Sequence, residues 1–92
     1  MAADAEKMNM IYKSVADDLF EETVNAFAKQ LSKMPTKGLA LTKKALQLSM
    51  TNTLTEQLQV EEELQTIAGK TSDFKEGTTA FLEKRTPEFK GE

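Results

Sequence analysis

Residues 53–69 read TLTEQLQVEEELQTIAG, and this stretch decides the fold class that the sequence predicts. Thr53 and Glu56 have the spacing of a capping box, in which each side chain accepts a hydrogen bond from the other residue's amide. Apolar residues then recur at helical intervals, and Gly69 is placed to cap the C-terminal end. The stretch therefore predicts one capped helix, with apolar positions Leu58, Val60, Leu64 and Ile67.

Two more helices are predicted on the N-terminal side, separated by Pro35. The first begins at Asp17 or Asp18, where a carboxylate can accept from free amides, and it ends before Pro35 because the preceding residue is pushed out of the helical region. Thr36 is predicted to cap the second of these two helices. The apolar positions are Phe20, Val24, Phe27, Leu31 and Met34 in the first, and Leu39, Leu46, Leu41, Ala45 and Leu48 in the second.

A last helix is predicted on the C-terminal side. It opens at Ser72 or Asp73 and runs to Arg85, Gly77 is a possible bend, and Pro87 prevents its continuation.

The N-terminal end has a different pattern. Residues 4–8 predict a short helical turn that Asn9 closes in the left-handed conformation. Residues 10–15, MIYKSV, have strand character but are too few to form a sheet alone. The fold class predicted for the whole chain is therefore all-α, a small bundle of four to five helices with a short extended segment near the N-terminus.

Composition excludes several function classes. The chain has 92 residues, with neither His nor Cys, which removes the imidazole base, the thiolate nucleophile, disulfides and the ordinary zinc sites. A net charge of -3 disfavours nucleic acid as a partner, and no apolar run approaches the roughly 20 residues that span a bilayer. We expect no nucleic-acid partner, no membrane partner and a cytoplasmic location.

Most charged groups predict no chemistry. Glu61, Glu62 and Glu63 are adjacent, so their side chains spread around a helix and cannot converge on one metal ion or one bond. No catalytic residue and no metal ligand is predicted. The lysines between Glu22 and Glu56 leave two alternatives open, a phosphate-binding patch or complementarity to the acidic fourth helix.

Phe81, Lys84 and Arg85 are the strongest candidates for a binding site. On a helix their spacing of three and four would place an aromatic ring and two cations on one side. A ring can pack on a nucleotide base while Lys or Arg pairs with phosphate oxygens. The alternative is that Phe81 lies in the core and Lys84 in solvent.

The pattern over essentially the whole chain resembles the C-terminal part of the enoyl-CoA hydratase/isomerase (crotonase) family. The most specific pieces are Pro35 with Leu41-Thr42-Lys43, and Glu76-Gly77 followed by AFLEKR (residues 80–85), Pro87 and Phe89. The stretches EQL (56–58) and AGKTSDF (68–74) most resemble the family's epoxide isomerases of aerobic phenylacetate breakdown. Asn9 departs from the pattern, since the family usually has Gly there.

The resemblance implies different roles for the N-terminal and C-terminal parts of the parent enzyme. In this family an N-terminal core supplies the backbone amides and carboxylates of the chemistry, and the C-terminal helices mediate trimer formation. Residues 1–15 are then expected to be a remnant of the junction with a missing N-terminal β/α core, and residues 16–92 a helical oligomerisation domain. The isolated chain is expected to be inactive and to hold no cofactor, with a CoA thioester as substrate of the parent enzyme.

The resemblance also implies partners. Phe81 and Lys84 match positions where the family's C-terminal helix contacts the adenine and phosphate end of CoA bound to a neighbouring subunit, whereas Arg85 is assigned no contact. We expect self-association, a trimer in the parent family and a dimer or larger species here, with acyl-CoA and the N-terminal core as further partners. Independently of the resemblance, a small helical adaptor that binds a partner helix remains an alternative.

Overall fold

A computed structural model describes all 92 residues and contains five α-helices and no strand, which confirms the all-α prediction. No helix is both long and apolar enough to cross a membrane. The chain divides into two compact units, Met1–Gln30 and Leu31–Glu92. The helices are α1 (Ala2–Lys7), α2 (Asp17–Ser32), α3 (Thr36–Ser49), α4 (Leu54–Gly69) and α5 (Ser72–Glu83).

The segment between α1 and α2 is irregular. Its predicted extended part forms neither helix nor strand, and it is held by side chains instead of a sheet. The amide and hydroxyl of Ser14 both donate to the Glu6 carboxylate, at 2.8 and 2.7 Å. The ring of Tyr12 stacks on Phe27 with 4.8 Å between ring centroids.

A left-handed residue closes α1, as predicted. Asn9 has a φ of 56°, and its amide donates to the Glu6 carbonyl while the Met10 amide donates to the Ala5 carbonyl, each at 2.9 Å. These two hydrogen bonds form a Schellman motif, in which the left-handed residue is usually Gly and sometimes Asn.

Helix α2 carries its predicted apolar stripe without burying it. The helix begins at Asp17, as predicted, and ends at Ser32, ahead of Pro35. No residue of the helix is buried. The exposed fractions are 60% for Phe20, 46% for Val24, 37% for Phe27 and 38% each for Leu31 and the following Met34.

Helices α3 and α4 pack on each other in the second unit. Leu64 of α4 is 8% exposed and lies in a cleft that it shares with the half-buried Leu41 and Ala45 of α3. The Gln57 amide group donates to the Ala45 carbonyl at 3.1 Å. The apolar positions predicted for α3 are only partly covered. Leu46, one of them, is 65% exposed.

The predicted capping box at the start of α4 is confirmed. The Glu56 amide donates to the Thr53 hydroxyl, and the Thr53 amide donates to the Glu56 carboxylate at 2.7 Å.

The prediction that Thr36 caps α3 is wrong. Thr36 is already helical, and Pro35 precedes it with its carbonyl accepting from the Leu39 amide.

At the junction of α4 and α5, the start of α5 at Ser72 is as predicted, whereas the cap of α4 lies one residue after the predicted Gly69. Gly69 is the last helical residue and Lys70, in the right-handed conformation, is the cap. Thr71, and neither Ser72 nor Asp73, caps α5, because its hydroxyl accepts from the Phe74 amide at 3.1 Å. Two residues join the helices, so the end of one leads directly into the cap of the next.

The last residues of the chain return to the start of α5. Asp73 is 3% exposed, and its two carboxylate oxygens accept from the amides of Lys90 and Gly91 at 2.7 and 2.8 Å. The Asp73 amide and the Ser72 hydroxyl both donate to the Glu92 carbonyl. We call these contacts the C-terminal clasp.

Two glycines make room for this return. Gly91 has a φ of 80°, and a Cβ there would lie 2.6 Å from the Thr36 hydroxyl. Gly77, a possible bend in the sequence prediction, lies within an unbroken α5, and the Phe89 ring would be 3.4 Å from a Cβ at that position. Gly91 therefore favours a residue without a side chain, whereas a Cβ at Gly77 would only make a close contact with the Phe89 ring.

We expect Gly91→Ala to lower the free energy of unfolding by about 2 kcal/mol, because it adds both a strained backbone and a steric conflict with Thr36. Gly38→Ala is the matched control. It lies inside α3 with open space where the Cβ would be, so it should stabilise the chain by up to about 1 kcal/mol. Urea unfolding followed by circular dichroism measures both, and a Gly91→Ala chain as stable as the wild type would contradict the clasp.

Candidate functional site

The two candidate binding residues lie at the C-terminal end of α5. Phe81 is in the last turn of the helix and is 83% exposed, beside Leu82, which is 80% exposed. The alternative that Phe81 belongs to the core is therefore wrong. The structure presents its ring on an open apolar surface.

Lys84 ends the helix instead of continuing it. Its φ of 55° and ψ of 40° are left-handed, so α5 ends at Glu83 and the prediction that it runs to Arg85 is wrong. The Lys84 amide donates to the Phe81 carbonyl at 3.3 Å and the Arg85 amide to the Ala80 carbonyl at 3.0 Å. This is a second Schellman motif, and it turns the chain back toward the start of α5.

Arg85 does not present a second free cation beside Lys84. Its guanidinium forms a two-pronged ion pair with Glu76, at 2.6 and 3.0 Å, and a further ion pair with Glu83 at 2.6 Å. The Lys84 ammonium takes part in none of the ion pairs of the chain. The two cations that were predicted to act together therefore have different environments.

The ion pair also sets the ionisation of its partners. Hydrogen bonds from the Arg85 guanidinium, and next from the Glu88 amide at 2.9 Å, lower the pKa of Glu76 to about 2 from an ordinary 4.5. The carboxylates of Glu76 and Glu83, which accept hydrogen bonds from Arg85, raise the pKa of Arg85 above its already high value. Both groups are therefore charged at neutral pH, and the pair persists.

An open apolar groove of about 670 Å³ lies beside this end of the helix. Phe81 and Phe89 contribute aromatic rings to it, and Pro35 closes it from the start of α3. An apolar groove with aromatic rings can pack a heterocyclic ring, and an unpaired ammonium such as that of Lys84 can pair with a phosphate. The remaining lining residues include Phe74, Gly77, Thr78 and Leu82.

The sequence does not predict the contacts of Asp73 with Lys90 and Gly91 or of Glu76 with Arg85. It indicates only a helix start at Asp73 and a family pattern at Glu76. The available signal was a second carboxylate one turn after the first, followed by Arg85 and a glycine near the C-terminus. That signal does not reveal which amides the carboxylates bind.

The charged groups of α3 and α4 lie at the surface of these helices. Glu61, Glu62 and Glu63 are exposed on α4, and Glu61 accepts a hydrogen bond from Gln57. No group of three or more His, Cys, Asp or Glu is arranged to hold a metal ion. The lysines of α3, Lys37, Lys43 and Lys44, are exposed.

We expect the Glu76 pair to make the chain sensitive to acid. Because folding lowers the pKa of Glu76, its contribution to stability is fully present above about pH 4.5 and is lost as the pH falls from 4.5 toward 2. The thermal unfolding midpoint of the wild type should fall across this window, and that of Glu76→Gln should start lower and fall less steeply.

The matched control is Glu62→Gln, which removes an exposed carboxylate of α4 that makes none of these contacts. Thermal unfolding followed by circular dichroism at pH 7, 4.5, 3 and 2 gives the curves. Parallel curves for the wild type and Glu76→Gln would show that the ion pair does not contribute.

Comparison with known proteins assigns the family. The family model described as enoyl-CoA hydratase/isomerase matches residues 1–92. The chain is 41% identical over 90 residues to the 1,2-epoxyphenylacetyl-CoA isomerase of Escherichia coli, covering 98% of this chain and 34% of that protein. A probable enoyl-CoA hydratase of Rhodobacter capsulatus is also 41% identical, with 98% and 35% covered.

Solved structures agree with this assignment. A Geobacillus kaustophilus enoyl-CoA hydratase structure superposes with a TM-score of 0.89 at 34% identity, over 99% of this chain and 35% of that one. A second from the same organism gives 0.86 at 28% identity, with 98% and 34% covered. The chain spans about a third of the length of these relatives. It belongs to the enoyl-CoA hydratase/isomerase, or crotonase, family.

Proposed function

We propose that this chain is the C-terminal helical module of a crotonase-family enzyme, and that it provides subunit contacts instead of catalytic groups. The observation that carries the proposal is the amount of exposed apolar surface. Twenty large hydrophobic residues are at least 37% exposed, whereas Leu64 and Ala80 are the only buried hydrophobic residues. Surface of this kind is typical of faces that are covered by other protein.

The total accessible area supports the same proposal. It is 7910 Å². Two compact units with this combined mass would expose only about 6,400 Å², even when counted separately. The excess is surface that a folded chain normally buries, and further subunits and a catalytic core would cover it.

In this proposal the parts of the chain have different roles. Residues 1–15 join the module to an N-terminal β/α core, and residues 16–92 form the oligomerisation domain. Catalysis belongs to amides and carboxylates of that core, and the substrate is an acyl-CoA thioester handled in the cytoplasm. The name of the Escherichia coli relative supports an acyl group of the phenylacetate class.

We also propose that Phe81 and Lys84 contact the nucleotide end of CoA. The ring of Phe81 is 83% exposed at the edge of an apolar groove, where an adenine can pack on it. Lys84 supplies an ammonium that no carboxylate neutralises, which suits the 3′-phosphate of CoA.

The first test is the native mass of the 92-residue chain in solution. We expect light scattering to give a dimer or a larger species, and the thermal unfolding midpoint to rise with protein concentration. Leu58→Glu should weaken this association, because Leu58 is 59% exposed on α4 and a charge there opposes apolar contact.

Gln59→Glu is the matched control, since it adds the same charge at the neighbouring exposed position of α4. It should leave the association constant within about twofold of the wild type, because exposed polar positions contribute little. A monomer at all concentrations would contradict the oligomerisation role and would favour the independent adaptor.

The second test is a hybrid enzyme, in which these 92 residues replace the matching third of the Escherichia coli isomerase. We expect the hybrid to assemble and to bind CoA more tightly than 3′-dephospho-CoA. Lys84→Ala should reduce this preference by about tenfold, the loss of one charge-assisted hydrogen bond.

Lys75→Ala is the matched control, because it removes the same charge from an exposed position at the start of α5. It should leave the preference for CoA unchanged. A hybrid that does not assemble would contradict the module itself. Equal preferences in Lys84→Ala and the wild-type hybrid would contradict only the CoA contact.

A further inference from the structure

The backbone of Lys84 is unusual for its residue type. A lysine with a φ of 55° occupies a position where glycine is preferred, because a Cβ is crowded in the left-handed region. Residues held in this region persist only where the surroundings determine the conformation, and they are concentrated at functional sites. The side chain of Lys84 is therefore the feature that needs an explanation.

A second motif in the same chain provides a comparison. The end of α1 has the same two hydrogen bonds as the end of α5, and there the left-handed residue is Asn9. Asparagine is the usual alternative to glycine in this motif, whereas lysine is not. Closing a helix in this way therefore does not by itself require a lysine.

The residues after Lys84 are held tightly enough to maintain its conformation. Arg85 is fixed by its two-pronged ion pair with Glu76 and by its contact with Glu83. The same Glu76 carboxylate accepts from the Glu88 amide at 2.9 Å, three residues further along the returning chain. Glu76 thus contacts the returning chain at two points and determines its path past Lys84.

The charges follow the same arrangement. Two carboxylates, Glu76 and Glu83, pair with Arg85 and exceed its charge by one, so Lys84 is the cation at this end of α5 that forms no ion pair. An anion approaching this end therefore meets one cation in one backbone conformation.

We propose that Glu76 is a positioning residue, which acts through Arg85 to hold the left-handed turn that aims Lys84 at the 3′-phosphate of CoA. This inference rests on the CoA contact proposed above. It adds that the preference for CoA over 3′-dephospho-CoA depends on a carboxylate that does not touch the ligand.

The test measures that preference in the hybrid enzyme by calorimetry, with CoA and 3′-dephospho-CoA as the two ligands. Glu76→Gln should reduce the preference by about threefold, because the turn becomes mobile while Lys84 is still present. The double variant Glu76→Gln/Lys84→Ala should equal Lys84→Ala alone, since a residue that acts only through Lys84 has no effect without it.

Arg85→Lys provides a second route to the same result. It keeps the positive charge but loses the two-pronged contact, so it should reduce the preference as Glu76→Gln does. If the Glu76→Gln hybrid does not assemble, Arg85→Lys alone tests the positioning role.

Two variants separate positioning from stability. Lys84→Gly should raise the thermal unfolding midpoint, because glycine suits the left-handed position, and yet lose the preference as Lys84→Ala does. Asp73→Asn weakens the C-terminal clasp and leaves the Glu76 pair in place, so it should lower the midpoint without changing the preference.

Each result has one interpretation. A loss of preference in Lys84→Ala but none in Glu76→Gln or Arg85→Lys would overturn the positioning role and leave the CoA contact intact. An equal loss in Asp73→Asn would also overturn it, because general loosening would then explain the effect. An unchanged preference for CoA in Lys84→Ala would contradict the proposed CoA contact itself.

Discussion

Buried apolar surface is scarce in this chain, and the rest of the structure depends on that scarcity. With Leu64 and Ala80 as the only buried hydrophobic residues, apolar burial contributes little to holding the helices together. Polar contacts therefore provide part of the stabilisation. The buried carboxylate of Asp73 receives backbone amides from the end of the chain, and no buried side-chain polar atom lacks a partner.

The helices were predictable because local chemistry determines them. The capping box of Thr53 and Glu56, the start of α2 at Asp17 and the left-handed Asn9 each depend on residues a few positions apart. The error at the end of α5 has a different origin. Lys84 ends the helix before the predicted Arg85 because the chain must return to the start of α5, a requirement that no short stretch of sequence contains.

The candidate site shows the same limit. Helical spacing predicts Phe81, Lys84 and Arg85 on one side of a helix, but in the structure α5 ends at Glu83, Lys84 is left-handed and Arg85 is held in an ion pair with Glu76. The contacts that bring this about join Glu76 to Arg85 and Asp73 to Gly91, nine and eighteen residues apart. Sequence patterns of period 3.6 carry no information about contacts over such separations.

Two features of α5 reduce the stability of the isolated chain, and they share an explanation. Phe81 exposes an aromatic ring to water, and Lys84 occupies a backbone conformation that glycine would adopt at lower cost. Local rules are broken most often where a site serves function. The proposed nucleotide contact accounts for both features, because a ring and a cation that bind a nucleotide would recover in the complex the stability that they cost in the free chain.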